Sequence, residues 1–221
     1  EALITAQRYP ADFDGIVAGA PAWAWTRMVS VGGLAAKDQV APGGNLPPAK
    51  LPALQAAALK ACGAGKTYIA APESCTFDPV VLQCKGKETN DCLTPQQVAV
   101  TRTIYHGRPD TIAGGILPGL EPGAEAGGDS WAAWGIATEE GDVSRATSKG
   151  FGWNHFAYLV AKDPKFDLRN LTQAEVLAGH REWGSSLNAD NPDLSAFKAR
   201  GGKLLSYHGW NDPAIPPGMS L

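Results

Sequence analysis

Phe13-Asp14-Gly15-Ile16-Val17-Ala18-Gly19-Ala20-Pro21 is a short apolar run that ends in a Gly/Pro turn, and it reads as a buried strand. Ahead of it, residues 1–8 read as the tail of an amphipathic helix stopped by Pro10. A helix followed by a short apolar run is the rhythm of a parallel α/β sheet. The same rhythm returns near the other end. Asn191-Pro192-Asp193 starts a helix with Leu194 and Phe197 on its inner face, Gly201-Gly202 ends it, and Lys203-Leu204-Leu205-Ser206-Tyr207 is a strand. From Trp23 to about Trp183 the rhythm disappears into helical patches and long irregular stretches. One patch is Pro52 to Ala61. Another begins at Thr94-Pro95-Gln96-Gln97, which offers a cap, a proline at the first helical position and a glutamine for a capping box. The pattern predicts an α/β core made of residues 1–22 and 184–221, interrupted by a large, loop-rich insertion over 23–183.

Composition narrows the function classes. Of the 221 residues, 44% are hydrophobic and 19% charged, and the net charge is −3. That excludes a disordered chain, and a basic footprint for nucleic acid is absent. No apolar run approaches the ~20 residues that span a bilayer, so no membrane partner is expected. With 26 glycines and 17 prolines, turns and long loops are favoured over a helical bundle. The chain opens at Glu1 and reads as an internal stretch of a longer protein.

Four cysteines, Cys62, Cys75, Cys84 and Cys92, lie inside the insertion. No Cys-x-x-Cys occurs and no histidine falls among them, so a zinc site is a poor reading. An even count around short loops fits two local disulfides, Cys62–Cys75 and Cys84–Cys92, formed in an oxidising compartment. Three connectivities are open to four cysteines, and reduced buried thiols are the alternative.

The turn His208-Gly209-Trp210-Asn211-Asp212-Pro213 leaves the C-terminal end of the late strand, the edge where catalytic groups of open α/β sheets gather. Asp212 there suits the acid of a Ser-acid-His chain order. It equally suits an Asx turn that serves only its own loop. His208 reads as a turn residue, because base and acid of a triad come from different loops. His106, His155 and His180 have no metal-like spacing. There is no Gly-x-Ser-x-Gly; the nearest miss, Gly128-Asp129-Ser130-Trp131-Ala132, lacks the preceding strand that a nucleophile elbow needs. Most of the 7 tryptophans lie in the insertion or at its borders. They offer walls for a planar aryl ligand, with core filling as the plain alternative.

Several segments together resemble the tannase and feruloyl esterase family, which includes mono(hydroxyethyl) terephthalate hydrolases. They are Ala6-Gln7-Arg8-Tyr9-Pro10-Ala11-Asp12-Phe13-Asp14-Gly15 running on to Ala22, Cys75-Thr76-Phe77-Asp78-Pro79, Cys92-Leu93-Thr94-Pro95-Gln96-Gln97, Leu117-Pro118-Gly119-Leu120-Glu121-Pro122-Gly123, Asp193-Leu194-Ser195-Ala196-Phe197, and Tyr207-His208-Gly209-Trp210-Asn211-Asp212-Pro213 through Pro217. The matches run in order along the whole chain.

The resemblance implies an α/β-hydrolase core with a large, disulfide-bearing lid inserted after the first strand. It implies an enzyme, a serine carboxylic-ester hydrolase that cleaves aryl esters such as feruloyl or galloyl esters. Of the triad, only the acid carries over, onto Asp212. The serine of the family's Cys-Ser-x-Gly-Gly motif would precede Glu1, the histidine would follow Leu221, and the chain alone would be inactive. Substrate-binding candidates on this reading are Trp131, Trp134 and Phe156, the partner is a small aromatic ester, and the location is secreted or periplasmic. A non-catalytic aryl-binding relative is the alternative. The resemblance also implies calcium in the lid, on an Asp-rich loop between the cysteines matching Cys62 and Cys75. Here that loop, Gly63 to Ser74, has no Asp and only Glu73, so no metal and no other cofactor are expected.

Overall fold

From the N-terminus the chain forms α1 (Ala2–Arg8), β1 (Gly15–Gly19), α2 (Trp25–Gln39), α3 (Leu51–Cys62) and α4 (Pro95–His106). It continues through β2 (Arg108–Pro109), β3 (Ile116–Leu117), α5 (Trp131–Trp134) and α6 (Phe151–Asn154). A π-helix at His155–Val160 follows, then α7 (Gln173–Leu187), α8 (Ser195–Ala199) and β4 (Lys203–Tyr207). The computed structural model describes residues 1–128, 130–134, 136 and 150–221.

β1 and β4 pair in parallel, with Gly15 opposite Lys203 and Gly19 opposite Tyr207. The strand read at the start of the chain is buried on one face only. Ile16 packs on Ala6 and Phe197 and Ala18 is buried on the same face, while Val17 is 61% exposed. The outward face of β4 is similarly open, at Leu205 and Tyr207. The late helix starts at Ser195, not at Asn191, because Asn191 and Asp193 spend their side chains on local turns, accepting from the amides of Asp193 and Ser195. Gly202 must be glycine: a Cβ there would stand 2.6 Å from the Phe197 ring.

The stretch 23–183 is more helical than its loop-rich reading: it holds the 15-residue α2 and most of the 15-residue α7, which runs on to Leu187. Glycines inside them hide the helical pattern but serve packing. Gly33 leaves room for the ring of Phe156, 2.8 Å from an added Cβ, and Gly179 does the same for Val160. Phe156, Leu168, Leu171 and Val176 form one core on α2. A second core gathers Leu46, Leu54, Leu93, Val98, Ile104 and Trp131. The capping box of α4 forms with both bonds, Gln97 N–H to Thr94 Oγ1 and Thr94 N–H to Gln97 Oε1. The cysteines pair as Cys62–Cys75 and Cys84–Cys92. Lys50, 3% exposed, braces the second loop by donating to the carbonyls of Thr89 and Cys92 and pairing with Glu88 at 2.8 Å.

A polar clamp fixes where the chain leaves the sheet and returns. The amide of Ala189 donates to Trp23 O at 2.7 Å. Gln7 and Arg8 of α1 donate to the carbonyls of Ala189 and Asn188. Asn188, 1% exposed, accepts from the Thr26 amide and donates to Thr26 Oγ1, which also meets His180 Nδ1 at 2.9 Å. Truncating Asn188 leaves a buried amide without its acceptor, a loss of about 1–3 kcal/mol. Asn188→Ala should therefore lower the unfolding free energy read from urea melts by that amount. Asp190→Asn, at the far 3.4 Å contact of the same network, should move it little.

His155 is 3% exposed, and its Nδ1 is buried without a partner. Burial lowers its pKa from the ordinary 6.5 to about 4. The unfolded chain then binds the proton that the folded chain refuses, so this residue's contribution is full above pH 6.5 and is lost as pH falls toward 4. Urea melts at pH 7 and pH 4.5 should show His155→Leu losing about 2 kcal/mol less stability over that interval than the parent chain. Equal losses would mean that His155 does not drive the acid sensitivity.

Candidate active site

β4 delivers its chain directly into the His208–Pro217 turn. There the Asp212 amide bonds Gly209 O, and Asp212 Oδ1 accepts from the amides of Ala214 and Ile215, each at 2.9 Å. With Oδ1 saturated, Oδ2 is the oxygen left to meet another group. His208 Nε2 lies 3.5 Å from it, but Nε2 is also 3.0 Å from Ile215 O. A carbonyl can only accept, so Nε2 carries a proton aimed at Ile215, and Nδ1 faces Ser220 Oγ at 2.7 Å. His208, with its side chain 5% exposed, thereby ties the turn to the Pro217–Ser220 helical turn.

The residues just after Asp212 form one side of an apolar groove of about 400 Å³. Its floor is α2, from Trp25 to Gln39, and its opposite wall runs from Thr103 through Gly107 to Leu120. Ile215 and Met219 pack toward Met28, Val31 and Leu117, which joins the acid-bearing loop to the groove's middle. An aromatic cluster closes one end. Phe151 stacks on Trp134 at 6.0 Å and meets Trp25 edge-on at 6.1 Å. At the other end Arg108 lines the groove, paired with Asp38 and reaching Leu34 O.

Of the aromatic candidates, Trp134 lines this groove. Trp131 and Phe156 do not: at 2% and 1% exposure they are core residues, Trp131 against Tyr105 and Phe156 over Gly33. Trp25, one of the seven tryptophans, and Phe151 complete that end of the groove. For Trp25 the signal was the run Trp23-Ala24-Trp25 at the insertion's border; Phe151 had none. Behind Trp131, Tyr105 donates to Glu125 at 2.6 Å. Burial holds the Glu125 carboxyl above its usual range and, with that carboxylate beside it, the Tyr105 phenol well above its own. Asp110 anchors the loop before β3. Burial pushes its pKa up, yet hydrogen bonds from the Ile112 and Ala113 amides and from Arg27 hold it below the ordinary value. The disulfide loop has few polar groups: its one carboxylate, Glu73, is exposed, and Lys66 sits over the Tyr68 ring at 5.2 Å. That donor set does not suit calcium, which takes six to eight oxygens. Among the described residues no three His, Cys, Asp or Glu side chains converge as metal ligands, and no helix is long and apolar enough to cross a membrane.

The family model for tannase and feruloyl esterase matches residues 1–221. The chain is 35% identical to an uncharacterized esterase from Xanthomonas campestris pv. campestris, over 98% of this chain and 40% of that protein. It is 30% identical to a probable feruloyl esterase from Arthroderma benhamiae, over 100% of this chain and 42% of the relative. The crystal structure of an esterase from Aspergillus oryzae superposes with a TM-score of 0.82 at 26% identity, covering 99% of this chain and 43% of the other. Feruloyl esterase B from Aspergillus oryzae, at 24% identity and a TM-score of 0.83, shares the fold. The chain thus spans about two-fifths of the length of the relatives it matches, and it belongs to the tannase and feruloyl esterase family.

Proposed function

We propose that this chain is part of a serine carboxylic-ester hydrolase that cleaves aryl esters, with Asp212 as the acid of a Ser-His-Asp triad whose serine and histidine lie outside these 221 residues. The observation that carries this reading is the bonding of Asp212: two backbone amides fix Oδ1, and Oδ2 stays available at the end of β4 beside an aromatic-lined groove. A carboxylate so held can fix the tautomer of an incoming imidazole and stabilise its cation. The serine would attack the ester carbonyl to give an acyl-enzyme and release the alcohol, and water would then release the aryl acid. The groove, with Trp134, Trp25 and Phe151, would take the aryl acyl group.

On this reading residues 1–22 and 184–221 belong to an α/β-hydrolase core and residues 23–183 form its lid. The bond from Ala189 to Trp23, where the two connections meet, supports that division. The open outer faces of β1 and β4 fit a sheet with further layers around it. The two disulfides favour a secreted or periplasmic location. The lid is held by its disulfides and not by calcium. A chelator should leave the melting temperature unchanged, whereas a drop reversed by added calcium would show that carbonyl oxygens substitute for the missing carboxylates.

The decisive variant is Asp212→Asn in the longer protein. It keeps the turn, because an amide oxygen still accepts from Ala214 and Ile215, but it loses the charge and reverses the donor pattern toward histidine. Turnover of methyl ferulate or methyl gallate should fall by about 10⁴-fold with the melting curve nearly unchanged. His208→Ala should instead lower stability and cost turnover per folded molecule far less. Near-normal turnover by Asp212→Asn would remove the acid role, and a parent protein that binds aryl esters without hydrolysing them would establish the non-catalytic alternative.

A further inference from the structure

We propose that Trp23, where the chain leaves β1 for the insertion, is a positioning residue for Asp212 and acts through the Pro217–Ser220 turn; the proposal rests on the acid role given to Asp212 above. Trp23 does not line the α2 groove. Its indole N–H donates to Met219 O, and among the described residues this is the one hydrogen bond from residues 23–183 to residues 208–221. The ring is half-buried and is itself held from behind. The Arg27 guanidinium lies over it, 5.2 Å from the ring centroid, and Arg27 Nε donates to the buried Asp110 at 2.6 Å. The Trp23 carbonyl accepts from the Ala189 amide, so main chain and side chain are both pinned.

The turn that Trp23 holds is continuous with the acid. Asp212 Oδ1 accepts from the amides of Ala214 and Ile215, Ile215 O accepts from His208 Nε2, and Ser220 Oγ donates to His208 Nδ1. These bonds give residues 208–220 their internal shape, but none of them fixes that segment against α2. The packing of Ile215 and Met219 toward Met28, Val31 and Leu117 holds it down, yet apolar contact is not directional. The indole bond is directional: a donor aimed along its N–H sets where the turn, and with it Asp212 Oδ2, points. A displacement of about 1 Å in a catalytic group can cost on the order of 10²-fold in rate. The ring also borders a recess of about 200 Å³ beside Gly19 and Leu187, so direct contact with a substrate is the rival role, and the test separates the two.

The test measures kcat and KM for methyl ferulate, per active site, in the longer protein carrying Trp23→Phe, Asp212→Asn or both, with melting curves for each. Trp23→Phe keeps an aromatic ring under Arg27 and removes only the N–H. It should lower kcat by about tenfold, change KM by less than about twofold, and add nothing in the Asp212→Asn background, because the two residues act as a unit. A lowered melting temperature with kcat per folded molecule intact would overturn the proposal. So would a raised KM, or a loss that persists in the Asp212→Asn background, since either marks a role that bypasses the acid. Near-normal turnover by Asp212→Asn would remove the acid reading itself, whereas a large loss there with normal kcat in Trp23→Phe would remove only the role of Trp23. Should Trp23→Phe fail to fold, benzothienylalanine at position 23, which keeps the bicyclic shape and lacks the N–H, should give the same drop in kcat, and normal turnover with it would overturn the proposal.

Discussion

The parallel pairing of β1 with β4 is the contact on which the rest depends. It joins segments from opposite ends of the chain, from the Lys203 amide on Asp14 O to the Ala20 amide on Tyr207 O. Closing so long a loop costs only slightly more than closing one half its length, because loop entropy grows with the logarithm of length. What makes the pairing specific is side-chain fit at its end. The Tyr207 ring covers Gly19 so closely that an added Cβ would sit 2.5 Å from the phenol oxygen. Immediately afterwards Ala20 takes a φ of 43°, a left-handed conformation that non-glycine residues adopt at a cost, and Pro21 follows. The chain is thus turned sharply off the sheet beside the point where β4 enters the Asp212 turn.

The clamp around Asn188 converts that pairing into a fixed exit and entry for everything between. Its members are buried or half-buried polar groups, and each is worth little in net stability while paired but leaves a costly vacancy when its partner is removed. The clamp reaches α1 through Gln7 and Arg8, α2 through Thr26, and α7 through His180. It therefore ties the helix that forms the groove floor to the helix that precedes β1. The relative position of groove and Asp212 is set by this clamp together with the packing of Ile215 and Met219 toward Met28, Val31 and Leu117.

What could be read from the sequence follows the strength of local signals. β4 is an apolar segment bounded by Gly201-Gly202 and a turn, and its limits agree with the sequence pattern; the α4 cap carries every residue its motif needs. α2 and α7 escaped because Gly32, Gly33, Gly179 and Gly184 lower helix propensity, and the reason for two of these glycines, the Phe156 ring and Val160, is visible only in three dimensions. Even so, Thr172-x-x-Glu175 is a capping box in plain view, and the structure forms it. The aromatic end of the groove was half legible. Tryptophans marked the region, but burial decides which of them lines the groove, and Trp131 and Phe156 are enclosed by contacts between segments distant in sequence. The turn that carries Asp212 was legible because a turn at a strand's C-terminal end is a local pattern; the amides that bond its carboxylate are local too.

The polarity of the groove follows the axis of α2. Its first turn, at Trp25, meets Phe151, which in turn stacks on Trp134. Its last turn carries the negative end of the helix dipole, which favours a cation. Arg108 occupies that position, on Asp38 and Leu34 O, although it comes from β2 and not from the helix. β2 can deliver it because it is pinned to β3, with Arg108 opposite Leu117, and because Asp110 is held two residues on by Arg27 of α2. One helix therefore builds both ends of the groove, the apolar one by packing at its N-terminal turn and the charged one by its dipole and a single carboxylate at the other.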